Sequence, residues 1–225
     1  MQIRNTLRIF LLAFYCFYSD ICFAIRNNVR TNKMEYTLAD IAHIYYGPYE
    51  KAEIKGSIKY FVSSHFDDFF EPTLFKDSFV DSLNEAEKYL LKPNDIIVTG
   101  KGQRIFAWAY KPEYGKVIPS SLFYIIKIID SNQVIGDYLA NWLNSEKINY
   151  QLKALSGGTS IPSIQKKELE QMKVNIPPIK KQQQIVGLSR LLDRDVQLAN
   201  HLLETKKAFK TGLLNKIMNS KQLDG

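Results

Sequence analysis

A short loop near the middle of the chain combines two glycines with three side chains that can bind an anion or read a base. It lies in the sequence NDIIVTGKGQR, where an apolar run ends at Val98 and Gly100–Arg104 follows. Glycine lets the backbone approach a ligand closely, while lysine, glutamine and arginine offer phosphate charge and hydrogen bonds to base edges. We therefore expect Lys101, Gln103 and Arg104 to contact nucleic acid. The open alternative is a β-hairpin with a solvated, charged tip.

Two other places in the chain carry small polar side chains beside turns. Ser63 and His65 follow the strand-forming run Ile58–Val62, and Thr159 and Ser160 follow a Gly-Gly pair. Hydroxyl groups at such positions donate to phosphates, or they satisfy backbone groups within the turn. Both interpretations stay open here, as does an ordinary edge strand with a polar turn at Ser63.

The sequence offers little for catalysis, metals or bound nucleotides. Both cysteines lie within the first 33 residues, and the three histidines are far apart with no ligand spacing, so we expect no metal site and no cofactor. The glycine loop matches neither a P-loop nor a dinucleotide-binding pattern. The carboxylates of the stretch FDDFFEPTLFKDSFV carry no catalytic signature, and we expect them to be solvated rather than paired: Asp67, Asp68, Glu71 and Asp77.

The elements that must position these residues form a pattern of strands followed by helices. Apolar and aromatic runs separated by turn residues predict strands at Ile58–Val62, Ile96–Val98, Ile105–Tyr110 and Leu122–Ile129. Apolar residues at helical spacing predict a short helix within Tyr36–Ile44 and a longer one over Val134–Leu152. The fold class that we expect is α+β, with a mixed sheet.

A long helix should occupy the end of the chain. Pro177 and Pro178 disfavour helix before them, and a proline is well tolerated in the first turn of one. Apolar residues then recur at steps of three and four along roughly 40 residues, which corresponds to a rod of about 60 Å. Such a stripe needs a partner, and its prominent members are Leu188, Leu192, Leu202, Phe209, Leu213 and Ile217.

The last third of the chain resembles the specificity subunit of type I restriction-modification systems. The resemblance lies in the ordered set of a glycine-rich loop, I-P-x-I, an amphipathic turn, an apolar strand ending in I-P-P-I, and K-x-Q-x-x-I opening a long helix. NDIIVTGKGQR and the run from Gly56 into the strand at Ile58 resemble the same family. The whole resemblance covers roughly Met34–Leu214. The matching residues in the last third are Gly157, Gly158, Ile161, Ile164, Leu169, Val174, Ile176, Pro177, Pro178, Gln183 and Ile185.

This resemblance implies a function and a set of partners. It implies a target-recognition domain that reads double-stranded DNA, followed by a coiled-coil-like spacer helix, without catalysis of its own. The partners would be methyltransferase (modification) and endonuclease (restriction) subunits, to which S-adenosylmethionine and ATP would belong. A complete family member has two recognition domains, whereas this chain shows no internal repeat. We therefore expect a half-sized chain that forms a homodimer, or pairs with another specificity chain, through its C-terminal helix.

The first 33 residues differ in composition from the rest. They hold five basic residues, one acidic residue and both cysteines, and an apolar run from Ile9 to Phe17 resembles a signal peptide that is too short to cross a bilayer. Because MEYTLADIAHIYYG resembles the opening of family domains, we prefer translation from Met34 and expect a cytoplasmic protein without a membrane anchor. The expected divisions are residues 1–33 (extension), 34–178 (recognition domain), 179–220 (helix) and 221–225 (tail).

Two other functions fit the sequence. The chain could be an exported coiled-coil interaction protein whose first segment is cleaved, or a silent, truncated specificity cassette. A net charge of +7 suggests a polyanionic partner without requiring one. A mature N-terminus near Ile25 would favour export, whereas neighbouring genes for the two partner subunits would argue against a silent cassette.

Overall fold

The computed structural model describes residues 35–81, 86–155 and 162–220. The chain divides into two compact units, Met1–Glu35 and Tyr36–Gly225, and the described elements belong to the second, apart from Glu35 at the start of the first strand. In chain order the elements are β1 (Glu35–Thr37), α1 (Leu38–Ile41), β2 (Ala42–Tyr46), β3 (Ile58–Phe61), β4 (Phe79–Val80), α2 (Ala86–Tyr89), β5 (Ile96–Thr99), β6 (Ala107–Ala109), β7 (Val117–Pro119), β8 (Phe123–Ile128), α3 (Gly136–Asn144), α4 (Glu146–Leu155), α5 (Lys166–Glu170), β9 (Lys173–Asn175) and α6 (Ile179–Ser220).

A four-stranded antiparallel sheet with strand order β2-β8-β5-β6 lies at the centre of the domain. Alternate residues of its inner strands enter two different cores. Ile96 of β5 and Ile126 of β8 pack with α3, α4, α5 and β9 on one face, whereas Ile97 and Ile125 pack with an aromatic cluster around Phe61 on the other. Because both faces are covered, these strands are continuously apolar rather than alternating.

Two smaller sheets complete the architecture. The mixed sheet β4-β3-β7 pairs β3 antiparallel with β4 and parallel with β7, and β1 pairs with β9. This arrangement confirms the expected fold class, an α+β domain with mixed sheet and a long C-terminal helix. None of the helices in the part of the chain that the structure describes is long and apolar enough to cross a membrane.

One local prediction about helices was wrong, and a second was confirmed over a shorter range than the pattern suggested. The single helix expected over Val134–Leu152 is two helices, because Ser145 leaves the helical conformation with ψ 144° and its hydroxyl donates to the Trp142 carbonyl at 2.6 Å. The helix expected within Tyr36–Ile44 covers only α1, with strands on both sides. Thr37 caps α1 through the Asp40 carboxylate, which accepts from the Thr37 N–H and hydroxyl at 2.7 Å each.

The long helix begins directly after the two prolines, as the sequence indicates. Its first turns are held by Gln182, a completely buried side chain. The Gln182 amide accepts from the Ile135 N–H at 2.9 Å and donates to the carbonyls of Gln133 (2.7 Å) and Pro177 (2.8 Å). Val186 packs in the following turn, while every side chain described from Leu191 onward is exposed. Among the described residues, the helix therefore packs on the domain through its first turns.

Candidate nucleic-acid interface

The basic loop Gly100–Arg104 joins β5 to β6, and its backbone is fixed on two sides. On one side the Gly100 N–H donates to the Leu122 carbonyl at 2.8 Å. On the other, the Ile164 N–H donates to the Gly100 carbonyl, and the Gly102 N–H donates to the Pro162 carbonyl, both at 2.9 Å. Lys101 and Ser163 form an antiparallel bridge between these two bonds. The loop is therefore one strand of a short ladder, not a free hairpin tip.

The two glycines of the loop are required for different reasons. A Cβ on Gly100 would lie 2.6 Å from Cε2 of Tyr124, closer than real contacts allow. Gly102 has open space around it but a φ of +121°, which side chains other than glycine rarely adopt. Gly100 therefore permits close packing against a ring, and Gly102 permits the turn that follows Lys101.

Tyr124 connects the loop to the segment that precedes α5. Its hydroxyl donates to the Ile164 carbonyl at 2.7 Å, and its ring lies 4.8 Å from the ring of Tyr46, which is 51% exposed. Burial, and then the hydrogen bond with Tyr46, raise the pKa of Tyr124 far above its usual value. The hydroxyl therefore stays protonated and available as a donor throughout the physiological pH range.

An open cleft of about 600 Å³ lies beside this ladder. Three lysines and one glutamate contribute its charge, and the Lys166 ammonium pairs with the Glu170 carboxylate at 3.3 Å. Lys101 and Lys167 are exposed, and within the described ranges neither has a carboxylate at ion-pair distance. Cationic side chains around an open cleft with an exposed aromatic ring suit a polyanion. The lining residues are Tyr46, Lys101, Tyr124, Ser163, Ile164, Gln165, Lys166, Lys167 and Glu170.

Most residues of this cleft were not predicted as site residues from the sequence, among them Tyr46, Lys166 and Lys167. The adjacent lysines in IQKKELE were a possible signal, but they also fit the solvated face of a short helix. Of the predicted residues, Lys101 lies in the cleft, and Gln103 is exposed on the same loop. Thr159 and Ser160 lie outside the described residues, although Pro162 and Ser163, which follow closely, pair with the loop.

Ser63 and His65 lie together in a 3₁₀ turn after β3. Ser63 is partly exposed, but His65 is only 8% exposed and packs edge-on against the rings of Phe61 and Phe75. Its Nδ1 accepts from the Val62 N–H at 3.3 Å. Burial lowers the pKa of His65, which favours the neutral ring. This placement makes the ring part of the aromatic core, and a DNA contact by His65 stays a prediction.

Arg104 differs from its neighbours on the loop because its guanidinium turns inward. One terminal nitrogen donates to the Phe66 carbonyl at 2.7 Å and the other donates to the Asp67 carbonyl. The Asp68 carboxylate is 3.8 Å away. These contacts connect the basic loop to the segment that begins after the 3₁₀ turn. That Arg104 reads a base stays a prediction, but two of its donor nitrogens are already engaged.

The acidic stretch after Phe66 is more ordered than the sequence suggested. Asp67 accepts from the Phe69 and Glu71 N–H groups at 2.8 and 3.0 Å, and from the Thr73 hydroxyl at 2.8 Å. Glu71 pairs with the Lys111 ammonium and lies near the hydroxyl of Tyr114 at 3.3 Å. The expectation that these carboxylates are simply solvated was wrong for Asp67 and Glu71, because a tight turn and neighbouring donors surround them.

A second cleft, of about 370 Å³, has the opposite charge. Arg190 pairs there with Asp137 at 3.1 Å, and Lys111 pairs with Glu71. Two more carboxylates, Asp68 and Asp193, also line the cleft, and its lining includes no Lys or Arg besides Lys111 and Arg190. This cleft would repel phosphates, so the lysine-lined cleft is the candidate interface. Among the described residues there is no group of three His, Cys, Asp or Glu side chains that could hold a metal ion.

Known proteins share both the sequence pattern and the fold. The model of the type I restriction modification DNA specificity domain matches residues 31–205. The type I restriction enzyme MjaVIII specificity subunit of Methanocaldococcus jannaschii is 25% identical over 138 residues, which are 59% of this chain and 32% of that protein.

Solved structures are similar in fold, at low sequence identity. The S subunit of a type I restriction-modification system from M. genitalium has a TM-score of 0.57 at 16% identity, covering 79% of this chain and 43% of its own. The HsdS subunit from Thermoanaerobacter tengcongensis has a TM-score of 0.57 at 13% identity, covering 88% and 48%. A chain from a study of complex assembly and conformational transition in the type I R-M system has a TM-score of 0.55 at 14% identity, covering 93% and 52%. This chain thus spans about a third to a half of these relatives' length.

Proposed function

This chain belongs to the type I restriction-modification DNA specificity domain family, whose model matches residues 31–205, and from that premise we propose that it reads a DNA sequence for such a system. It binds double-stranded DNA without catalysing a reaction, and it directs methyltransferase and endonuclease subunits to their target. S-adenosylmethionine and ATP are bound by those partners, and the complex acts in the cytoplasm.

The observation that carries this proposal is the lysine-lined cleft beside the bridge between Lys101 and Ser163. Lys101 and Lys167 have no carboxylate partner among the described residues, so their charge is available to phosphates. The exposed amide of Gln103 can donate to and accept from a base edge, as glutamine does with adenine. Ser63, Thr159 and Ser160 serve as further hydroxyl donors in this proposal.

Recognition of two half-sites requires two recognition domains, and in this proposal a second copy of the chain supplies the other one. The exposed apolar side chains of α6 favour pairing of two chains through that helix. A two-fold pair carries two identical recognition domains, and its DNA target is then two symmetric half-sites at a fixed spacing. Residues 34–178 act as the recognition domain and residues 179–220 as the spacer and pairing helix, while residues 1–33 and 221–225 are dispensable for DNA binding.

Methylome sequencing of cells with and without this gene tests the proposal. The expected result is a set of methylated, bipartite sites that disappears when the gene is deleted and returns when it is restored. Restoration with a Lys101→Ala, Lys167→Ala double variant should return fewer of these sites at the same protein level. An unchanged methylome after deletion would contradict the proposed function.

A further inference from the structure

We propose that Arg104 is a positioning residue, which fixes the basic loop against the segment Phe66–Glu71 and thereby sets sequence discrimination without touching DNA itself. This inference rests on the proposed function and assigns one residue of that site. It departs from the sequence expectation, in which Arg104 belongs with Lys101 and Gln103 as a direct contact. The three side chains follow one another closely, but the structure gives them different surroundings.

The guanidinium of Arg104 donates its hydrogen bonds to the backbone of the segment Phe66–Glu71. Its two terminal nitrogens donate to successive carbonyls, those of Phe66 and Asp67. The central carbon lies 5.6 Å from the ring centroid of Phe70 and 5.3 Å from that of Phe106, and these two rings are stacked at 5.2 Å. A planar cation that donates two hydrogen bonds beside aromatic rings is held in one orientation.

The segment that Arg104 holds is itself a compact turn. The Asp67 carboxylate accepts from the Phe69 and Glu71 N–H groups, and the Asp67 N–H donates to the Glu71 carbonyl at 2.9 Å. Phe70 has a φ of +61°, which a phenylalanine adopts only where surrounding contacts enforce it. A displacement of the Phe66 and Asp67 carbonyls would therefore carry the whole turn with it.

The other end of this turn is anchored on a different element. Glu71 pairs with Lys111, which follows β6, and the Trp108 side chain of β6 lies 3.4 Å from the Glu71 carboxylate. Arg104 precedes β6 and Lys111 follows it, so both ends of the turn are fixed to the same strand and its flanks. The Ser63 turn leads directly into this segment, and its position depends on the same anchors.

Electrostatics argue against a phosphate on Arg104. The carboxylates of Asp67, Asp68 and Glu71 lie in the segment that it contacts, and Asp68 is fully exposed to solvent. A phosphate approaching Arg104 would meet the exposed Asp68 carboxylate beside it, whereas within the described ranges neither Lys101 nor Lys167 has a carboxylate at ion-pair distance. Arg104→Lys should consequently change sequence discrimination, because lysine keeps the charge but cannot donate to two carbonyls from one plane.

Affinity measurements on the full chain separate a positioning role from direct contact. The affinities of the wild type and of Arg104→Lys are measured at several salt concentrations for two duplexes. One duplex is selected from a random-sequence library, and the other has the same sequence scrambled. We expect the ratio of selected to scrambled affinity to fall by at least about tenfold, the effect of roughly one mismatched base pair, while scrambled-duplex affinity and its salt slope stay unchanged. Amide exchange at Phe69 and Glu71 should become faster.

Three further variants complete the test. Phe70→Leu keeps every charge and removes one ring beside the guanidinium, so it should reduce discrimination in the same direction. Arg194→Lys, on the exposed part of α6, is the matched control and should behave as the wild type. Wild-type discrimination in Arg104→Lys would overturn the positioning role. It would also be overturned if only Arg104→Ala had an effect, and if that effect were a loss of affinity for both duplexes with a salt slope smaller in magnitude by about 1. A wild-type chain that selects no sequence would overturn the proposed function, and this inference with it.

Discussion

Lys101 and Ser163, which are distant in the sequence, face each other in an antiparallel bridge. This pairing places the basic loop after β5 beside the segment that enters α5, and it brings the Lys101 side chain to the same cleft as Lys166 and Lys167. Because the bridge is flanked by two more backbone hydrogen bonds, at Gly100 and Gly102, the spacing between the lysines is set by the backbone.

Removing a lysine from this cleft should weaken binding to all DNA sequences alike. Lys101→Ala and Lys167→Ala each remove one of the phosphate contacts proposed above, so each should reduce the magnitude of the negative slope of log affinity against log salt concentration by about 1. Fluorescence titrations of a labelled duplex at several salt concentrations measure this slope. Lys207→Ala removes the same charge from the exposed part of α6 and should leave the slope unchanged; an equal effect there would indicate nonspecific electrostatics.

The Gln103 side chain should affect specificity more than affinity for arbitrary DNA. Loss of a bidentate contact to one base costs about 1–3 kcal/mol of discrimination. Gln103→Ala should therefore accept base changes at one position of the selected site, while its affinity for a scrambled duplex stays at the wild-type value. Competition among single-base variants of the selected duplex locates that position. Unchanged preference at every position would rule out base reading by Gln103.

The buried amide of Gln182 should determine how firmly α6 is attached. Gln182→Leu keeps approximate volume but leaves the Ile135 N–H without its acceptor, at a cost of about 1–3 kcal/mol for a buried donor. The free energy of unfolding, measured in urea by circular dichroism, should fall by about that amount. Gln183→Leu changes the adjacent, exposed glutamine and should have little effect. Equal stability of the two variants would show that the hydrogen bonds of the Gln182 side chain contribute nothing to stability.

Two copies of the chain should associate through α6. Leu192 and Leu202 are 42% and 54% exposed in the single chain, and full burial of a leucine contributes roughly 1.5–3 kcal/mol. Light scattering should give a dimer at micromolar concentration for the wild type and a monomer for Leu192→Asp with Leu202→Asp. A wild-type monomer, or a dimer that survives both substitutions, would instead point to a different specificity chain or a methyltransferase subunit as the partner of this helix.

Burial of His65 should make stability depend on pH near neutrality. The pKa of His65 is lowered from its ordinary 6.5 by burial, so the unfolded chain binds a proton more readily than the folded chain. The stability that the neutral, buried His65 ring contributes is present in full above pH 6.5. It is lost as the pH falls from there toward the lower pKa of His65 in the folded chain. The Tm should therefore decrease between pH 7.5 and pH 5.5.

Substitution of His65 tests this assignment. His65→Asn keeps an acceptor for the Val62 N–H and removes the titrating ring, so its Tm should change less over the same pH interval. His201→Asn, on the exposed helix, should retain the wild-type dependence. A pH dependence that is unaltered in His65→Asn would assign the effect to other groups.

The sequence determined several of the elements, and the family, because the patterns that indicate them lie among neighbouring residues. Pro177 and Pro178 predicted the start of α6, apolar runs predicted β5 and β8, and the ordered motifs of the last third indicated the type I specificity family, which the comparisons confirm. The local signal failed where one residue interrupts a regular pattern. Ser145 divides a continuous apolar periodicity into two helices, and nothing in the spacing of the flanking leucines indicates the break.

Only the tertiary structure decided which side chains of the basic loop point outward. Lysine and arginine have long side chains that can reach solvent or fold back, and their direction depends on acceptors contributed by distant segments. Arg104 turns inward because the carbonyls of Phe66 and Asp67 lie within its reach, and Lys166 and Lys167 join Lys101 because Ser163 pairs with it. His65 is buried for the same kind of reason, since the rings of Phe61 and Phe75 close around it. Such contacts between distant segments arise when the cores on the two faces of the central sheet pack, and local spacing does not encode them.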